Sequence, residues 1–123
     1  MKALLLVFLG GGLGSSLRYA IGKLWNPEIG GFPYGTFAAN VLGSLIIGIL
    51  LGMAAKNVNI PQNMVLFLAT GFCGGFTTFS TFAYENQAFL KDGQLGLFAL
   101  YAIGTFAIGI AAVFFGIWLA RLI

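Results

Sequence analysis

Leu66-Phe67-Leu68-Ala69-Thr70-Gly71-Phe72-Cys73-Gly74-Gly75-Phe76-Thr77-Thr78-Phe79-Ser80-Thr81-Phe82 decides how this chain is read. Its first half is a plain apolar run, long enough with its flanks to cross a bilayer. Gly74-Gly75 and the hydroxyl residues Thr77, Thr78, Ser80 and Thr81 then interrupt it. In a helix each glycine costs roughly 1 kcal/mol relative to alanine, and the β-branched Thr77-Thr78 pair adds a smaller penalty. Between Met64 and Ala83 the midpoint falls beside Gly74, so the spacing predicts a weak point near the bilayer midplane, where interrupted helices hold ions or substrates.

Working outward, the chain of 123 residues is 59% apolar with six Lys and Arg, three Asp and Glu, and no His. Its mean hydropathy is +0.98. That composition excludes an ordinary water-soluble globule and predicts an all-α integral membrane protein. The spans are read at about 3–22, 32–55, 62–90 with a break near 74–78, and 95–121, forming a single four-helix domain over 1–123. Each reaches across about 30 Å of hydrocarbon at about 1.5 Å per residue. Lys2 before the first apolar run resembles a signal-peptide start, but no convincing Ala-x-Ala-like cleavage site precedes Arg18, so the run is read as a mature helix. The short connection Lys56–Pro61 and the turn Lys91-Asp92-Gly93-Gln94 separate the later spans.

Several chemistries are excluded by residue content. Without histidine, and with Cys73 as the lone cysteine, neither a thiol or imidazole metal site nor the commonest general base is present. Gly12-Leu13-Gly14-Ser15-Ser16-Leu17 lacks the third glycine, the strand and the ribose-binding acid of a dinucleotide fingerprint. We read the chain as a passive transport protein and not as an enzyme. Nucleic acid is not expected as a partner, since six cations spread along the chain form no patch.

With four spans, Lys2, Lys56 and Arg121 fall on one side and Arg18, Lys23 and Lys91 on the other, three against three. Because the Lys/Arg bias normally fixes orientation, the balance predicts insertion both ways and an antiparallel homodimer with its two-fold axis in the membrane plane. Chance balance among so few charges is the other reading. Thr36, Asn40, Ser44, Gly48 and Gly52 lie four apart on one face of the second span, which therefore faces protein. Asn40 stands out, because hydrocarbon satisfies neither its two donors nor its acceptor.

An opened ladder near Gly74 would leave carbonyls of the first half and amides of the second without partners, costing several kcal/mol per group unless an ion, water or protein meets them. A small hard cation such as sodium suits the carbonyls of two paired breaks. A glycine-kinked packing helix is the alternative. Beyond the break, Phe79 and Phe82 share a face, with Ser80, Thr81 and Asn86 nearby. Phenyl edges carry partial positive charge, so with the Asn40 amide they suit a small, strongly hydrated anion that sheds its water.

Three segments, Gly11-Gly12-Leu13-Gly14-Ser15-Ser16-Leu17-Arg18-Tyr19, Gly35-Thr36-Phe37-Ala38-Ala39-Asn40-Val41-Leu42-Gly43 and Gly74-Gly75-Phe76-Thr77-Thr78-Phe79-Ser80-Thr81-Phe82, resemble the Fluc (CrcB-type) fluoride channels. The resemblance covers essentially the whole chain. It implies a dual-topology homodimer in a bacterial inner membrane, with two fluoride pathways and a structural sodium ion, that exports cytoplasmic fluoride and confers fluoride resistance. Gly74 and Thr77 would give backbone carbonyls to sodium; Asn40, Phe79, Phe82, Ser80 and Thr81 would line the fluoride path, joined by Tyr101 and Thr105 of the last span. Arg18 and Glu85 match the family's charged positions, with a structural or vestibule role. Position 38 is alanine here, so it adds no hydroxyl. Against a small multidrug-type cation exporter stands the lack of an acid within the first span. A non-conducting assembly subunit is the third reading.

Overall fold

A computed structural model describes residues 1–56 and 59–123. Asn57 and Val58, in the connection read as Lys56–Pro61, lie outside the described residues. The helices are α1 (Lys2–Trp25), α2 (Tyr34–Ala55), α3 (Gln62–Val65), a π-helical stretch (Leu66–Cys73), α4 (Gly74–Phe76), α5 (Ser80–Lys91) and α6 (Leu95–Leu122). Among the described residues there is no strand. Four helical spans, Lys2–Trp25, Tyr34–Ala55, Gln62–Lys91 and Leu95–Leu122, are long and apolar enough to cross a membrane.

Local chemistry sets the ends. Pro33 fixes its own φ and has no N–H, so α2 starts after it and not at Phe32, and the Pro33 carbonyl accepts from Phe37 N–H at 3.0 Å. Pro61 likewise stands just ahead of α3, accepting from Met64 N–H and Val65 N–H. At the far end of α5, Gly93 takes φ +72° and Gln94 N–H reaches the Phe89 carbonyl at 2.8 Å, a left-handed cap that turns the chain into α6.

The spans pack as two close pairs, α1 with the third span and α2 with α6. Small residues make both possible. A Cβ on Gly75 would strike the Gly11 carbonyl, and one on Gly48 would strike the Val113 carbonyl. In lipid such contact supplies dispersion that the hydrophobic effect does not. Lys56 Nζ donates to the Ala120 and Arg121 carbonyls at 3.4 and 3.3 Å, so the α2 end and the α6 end lie at one face of the bundle.

Helical structure in the third span stops at Phe76, Thr77 is extended at φ −86°, ψ 157°, and helix resumes at Ser80. The glycine pair itself is helical, with Gly74 at φ −61°, ψ −38°. Gly75 is there for close approach to α1. The non-helical residues are those whose backbone groups a neighbouring side chain captures.

Candidate functional site

Asn40, on the inward face of α2, holds Thr78 at both of its backbone groups. Its Oδ1 accepts from Thr78 N–H at 2.8 Å and its Nδ2 donates to the Thr78 carbonyl at 3.2 Å. The amide of Thr78 is the one that would close an α-helical bond on the Gly74 carbonyl. One turn on, Thr81 N–H, the helical partner of the Thr77 carbonyl, goes to Thr78 Oγ1 at 3.3 Å. Gly74 and Thr77 carbonyls therefore lose their helical donors together. Upstream, the Cys73 carbonyl accepts from both Thr77 N–H and Thr77 Oγ1 at 2.9 Å, so the helix ends on a doubly used acceptor.

The opening faces a groove of about 820 Å³ between α2, the third span and α6. Asn40, Ser44, Thr77, Thr78, Phe79, Phe82 and Thr105 line it, against an apolar wall that includes Ile103, Phe106 and Ile110. Phe79 is 79% exposed and its ring centroid lies 6.1 Å from that of Phe82. Thr105 Oγ1 is buried with no hydrogen-bond partner. Asn40 keeps one Nδ2 proton after its bond to Thr78, since a carboxamide has two. The Ser44 hydroxyl donates back to the Asn40 carbonyl at 2.8 Å.

Beyond the groove, Tyr101 is fully buried. Its hydroxyl donates to Glu85 Oε1 at 2.7 Å, and its ring packs on Phe32, Phe82 and Phe89 at 5.2, 5.0 and 6.1 Å. The other carboxylate oxygen, Oε2, accepts from the Thr36 hydroxyl at 2.9 Å. On the α1 side, Arg18 Nε and Ser15 Oγ donate to the Gly75 carbonyl at 3.0 and 3.4 Å, which ties α1 to the helix just before its opening.

A family profile described as CrcB-like protein, Camphor Resistance (CrcB), matches residues 5–117 of the chain. The chain belongs to the CrcB-like family. Similar proteins include the "Fluoride-specific ion channel FluC" of Gloeothece citriformis, 50% identical over 98% of both chains. The protein of that name from Phocaeicola vulgatus is 45% identical over 98% of this chain and 100% of its own. That from Agrobacterium fabrum is 44% identical over 94% of both.

In this CrcB-like chain the residues singled out in the sequence are not all brought together; Gly74, Arg18 and Glu85 do not line the groove. Asn40, Thr77, Phe79, Phe82 and Thr105 come together around the groove. Ser80, Thr81 and Tyr101 do not line it; Ser80 Oγ lies 3.4 Å from Thr78 Oγ1, and Tyr101 turns to Glu85. Sequence reasoning missed the partners of Glu85. Thr36 was visible only as one small polar residue on the α2 face, and Asn26, in the loop before α2, carried no signal at all.

Proposed function

We propose that this chain is a passive, selective fluoride channel that works as an antiparallel, dual-topology homodimer with two pores, in a bacterial inner membrane, and lets cytoplasmic fluoride leave. The observation that carries the reading is the opened backbone at Thr77–Phe79, clamped by Asn40 beside a groove rimmed by Phe79 and Phe82. Unpaired backbone at membrane depth persists only against protein, water or an ion.

The chemistry of the groove favours a small anion. Fluoride leaving water needs hydrogen-bond donors and positive edges. The free Nδ2 proton of Asn40, the unpartnered Thr105 hydroxyl and the phenyl rims of Phe79 and Phe82 supply them. The first amides of α5, a helix of 12 residues, add positive potential at its N-terminus. A larger halide gains less from each of these contacts and loses less by staying hydrated.

Two features support a second copy against this face, which the balanced Lys/Arg distribution reads as inverted. Gly74 would meet nothing within 4 Å if it bore a Cβ, so its smallness serves no contact inside the protomer. Phe79, Ile103 and Phe106, which line the groove, are also largely exposed. The Gly74 and Thr77 carbonyls, stripped of helical donors, fit a sodium ion shared with the equivalent pair of the second copy. Hard oxygens suit such a cation, and among the described residues no cluster of three or more acidic, Cys or His side chains offers a different metal site. Bound there, sodium would neutralise carbonyl dipoles that otherwise face one another.

Efflux from proteoliposomes, followed with fluoride- and chloride-selective electrodes, tests the proposal. Rapid fluoride loss with chloride retained is expected. Comparable chloride loss, or no loss of either ion, contradicts it.

A further inference from the structure

The loop before α2 contains a side chain that reaches, through one hydroxyl, to Glu85, among the described residues the only carboxylate set among the packed helices. Asn26 Oδ1 accepts from Gly35 N–H and Thr36 N–H at 2.7 and 3.1 Å, satisfying two of the free amides at the start of α2. Its Nδ2 donates to Thr36 Oγ1 at 3.0 Å, and Thr36 Oγ1 donates to Glu85 Oε2 at 2.9 Å.

The direction of this relay follows from counting protons. A carboxamide nitrogen donates and does not accept, whereas a hydroxyl has one proton and two lone pairs. With one lone pair filled by Asn26, the single proton of Thr36 points to Glu85. Tyr101 supplies the second donor, so each carboxylate oxygen receives one bond and the group is fixed in place. Thr36 is 4% exposed, which shields that proton from bulk water. Glu85 stands one turn beyond Phe82 on the same face of α5, and the Tyr101 ring it anchors lies 5.0 Å from the Phe82 ring.

We infer that Asn26 is a positioning residue: by holding the Thr36 hydroxyl proton on Glu85, a loop carboxamide outside the groove fixes Glu85 and Tyr101 and, through Tyr101, the Phe82 ring at the rim. The inference rests on the reading of the Phe82 rim as part of an anion path. Its chemical content, the hydrogen-bonded state of Glu85, does not.

Asn26→Asp separates the two tasks of the side chain. Aspartate still accepts from Gly35 and Thr36 N–H, so the cap is kept, but it cannot donate to Thr36 and instead draws its proton away from Glu85. Fluoride efflux should fall about tenfold while the melting temperature in detergent stays within about 2 °C. In a Thr36→Val background, which has no hydroxyl to orient, adding Asn26→Asp should change efflux by less than about twofold. An equal fall in that background means that the new charge acts directly, and overturns the inference.

A second readout does not depend on flux. With Glu28→Gln, Glu85 is the sole glutamate of the chain, and glutamate labelled with 13C isolates its carboxylate stretch in the infrared. Asn26→Asp should shift that band, and Thr36→Val should shift it too. An unmoved band overturns the positioning role even if the protein conducts fluoride; a shifted band in protein that conducts none leaves the role standing and removes the channel.

Discussion

Between α2 and α6 the backbones approach until Gly48 faces the Val113 carbonyl and Gly116 the Leu45 carbonyl, and both helices run without interruption. The third span, rich in the same residue types, is arranged differently. Its Gly75 makes an equally close approach to α1, yet two residues later the backbone leaves the helix and is held by a side-chain amide. The contrast separates two uses of polar and small residues in lipid. Small residues alone let intact helices touch; an opening needs a buried group that takes over the backbone's hydrogen bonds. Asn40 does this for Thr78, whereas in the middle of the α2–α6 contact Ser44 bonds only its own helix, and Lys56 reaches the α6 carbonyls only at the helix end.

The sharpest way to break this comparison is to remove the clamp. Asn40→Leu leaves both Thr78 groups unpaired, at a cost of roughly 2–5 kcal/mol, and should abolish fluoride efflux and lower the unfolding midpoint in detergent. Wild-type stability would show that the opening is not held by Asn40. Next in size, Gly116→Val collides with the Leu45 backbone and should cost about 1–3 kcal/mol, seen as loss of folded yield. Gly74→Ala, which meets nothing in the protomer, should change protomer stability by less than about 0.5 kcal/mol while weakening dimerisation measured by analytical ultracentrifugation. Equal losses from the two glycine substitutions would erase the distinction between packing and opening.

Smaller effects refine the rim. Phe82→Ile removes a polarised edge and a ring packed on Tyr101, so efflux should drop about tenfold, in line with aromatic contacts of roughly 0.5–1.5 kcal/mol. Thr105→Val replaces a buried hydroxyl that has no partner. It should leave stability unchanged or raise it by up to about 1 kcal/mol, while fluoride efflux slows with the loss of a donor.

Hydropathy made the four spans legible, because each is a long apolar run ended by charge, proline or a glycine turn. The small and polar face of α2 was equally plain, and all of its polar members bond within the protein. The point of opening was less so. Glycine's weak helix propensity drew attention to Gly74-Gly75, but propensity is a small term beside the close packing of Gly75 on α1, and the backbone departs where Asn40 competes for it. That competition joins residues 38 apart in sequence, which no local pattern reveals. For the same reason Tyr101, placed in the path by resemblance, turns to Glu85 in the fold, and Asn26 looked like any loop asparagine.

Cross-linking reads most directly whether two inverted copies meet at their openings. In Cys73→Ser protein, Gly74→Cys should join two chains through a short bis-maleimide into a species of twice 13.0 kDa in native membranes, whereas Gly12→Cys, which also faces open space, should not. A monomeric Gly74→Cys band, or equal cross-linking from Gly12→Cys, would contradict the account.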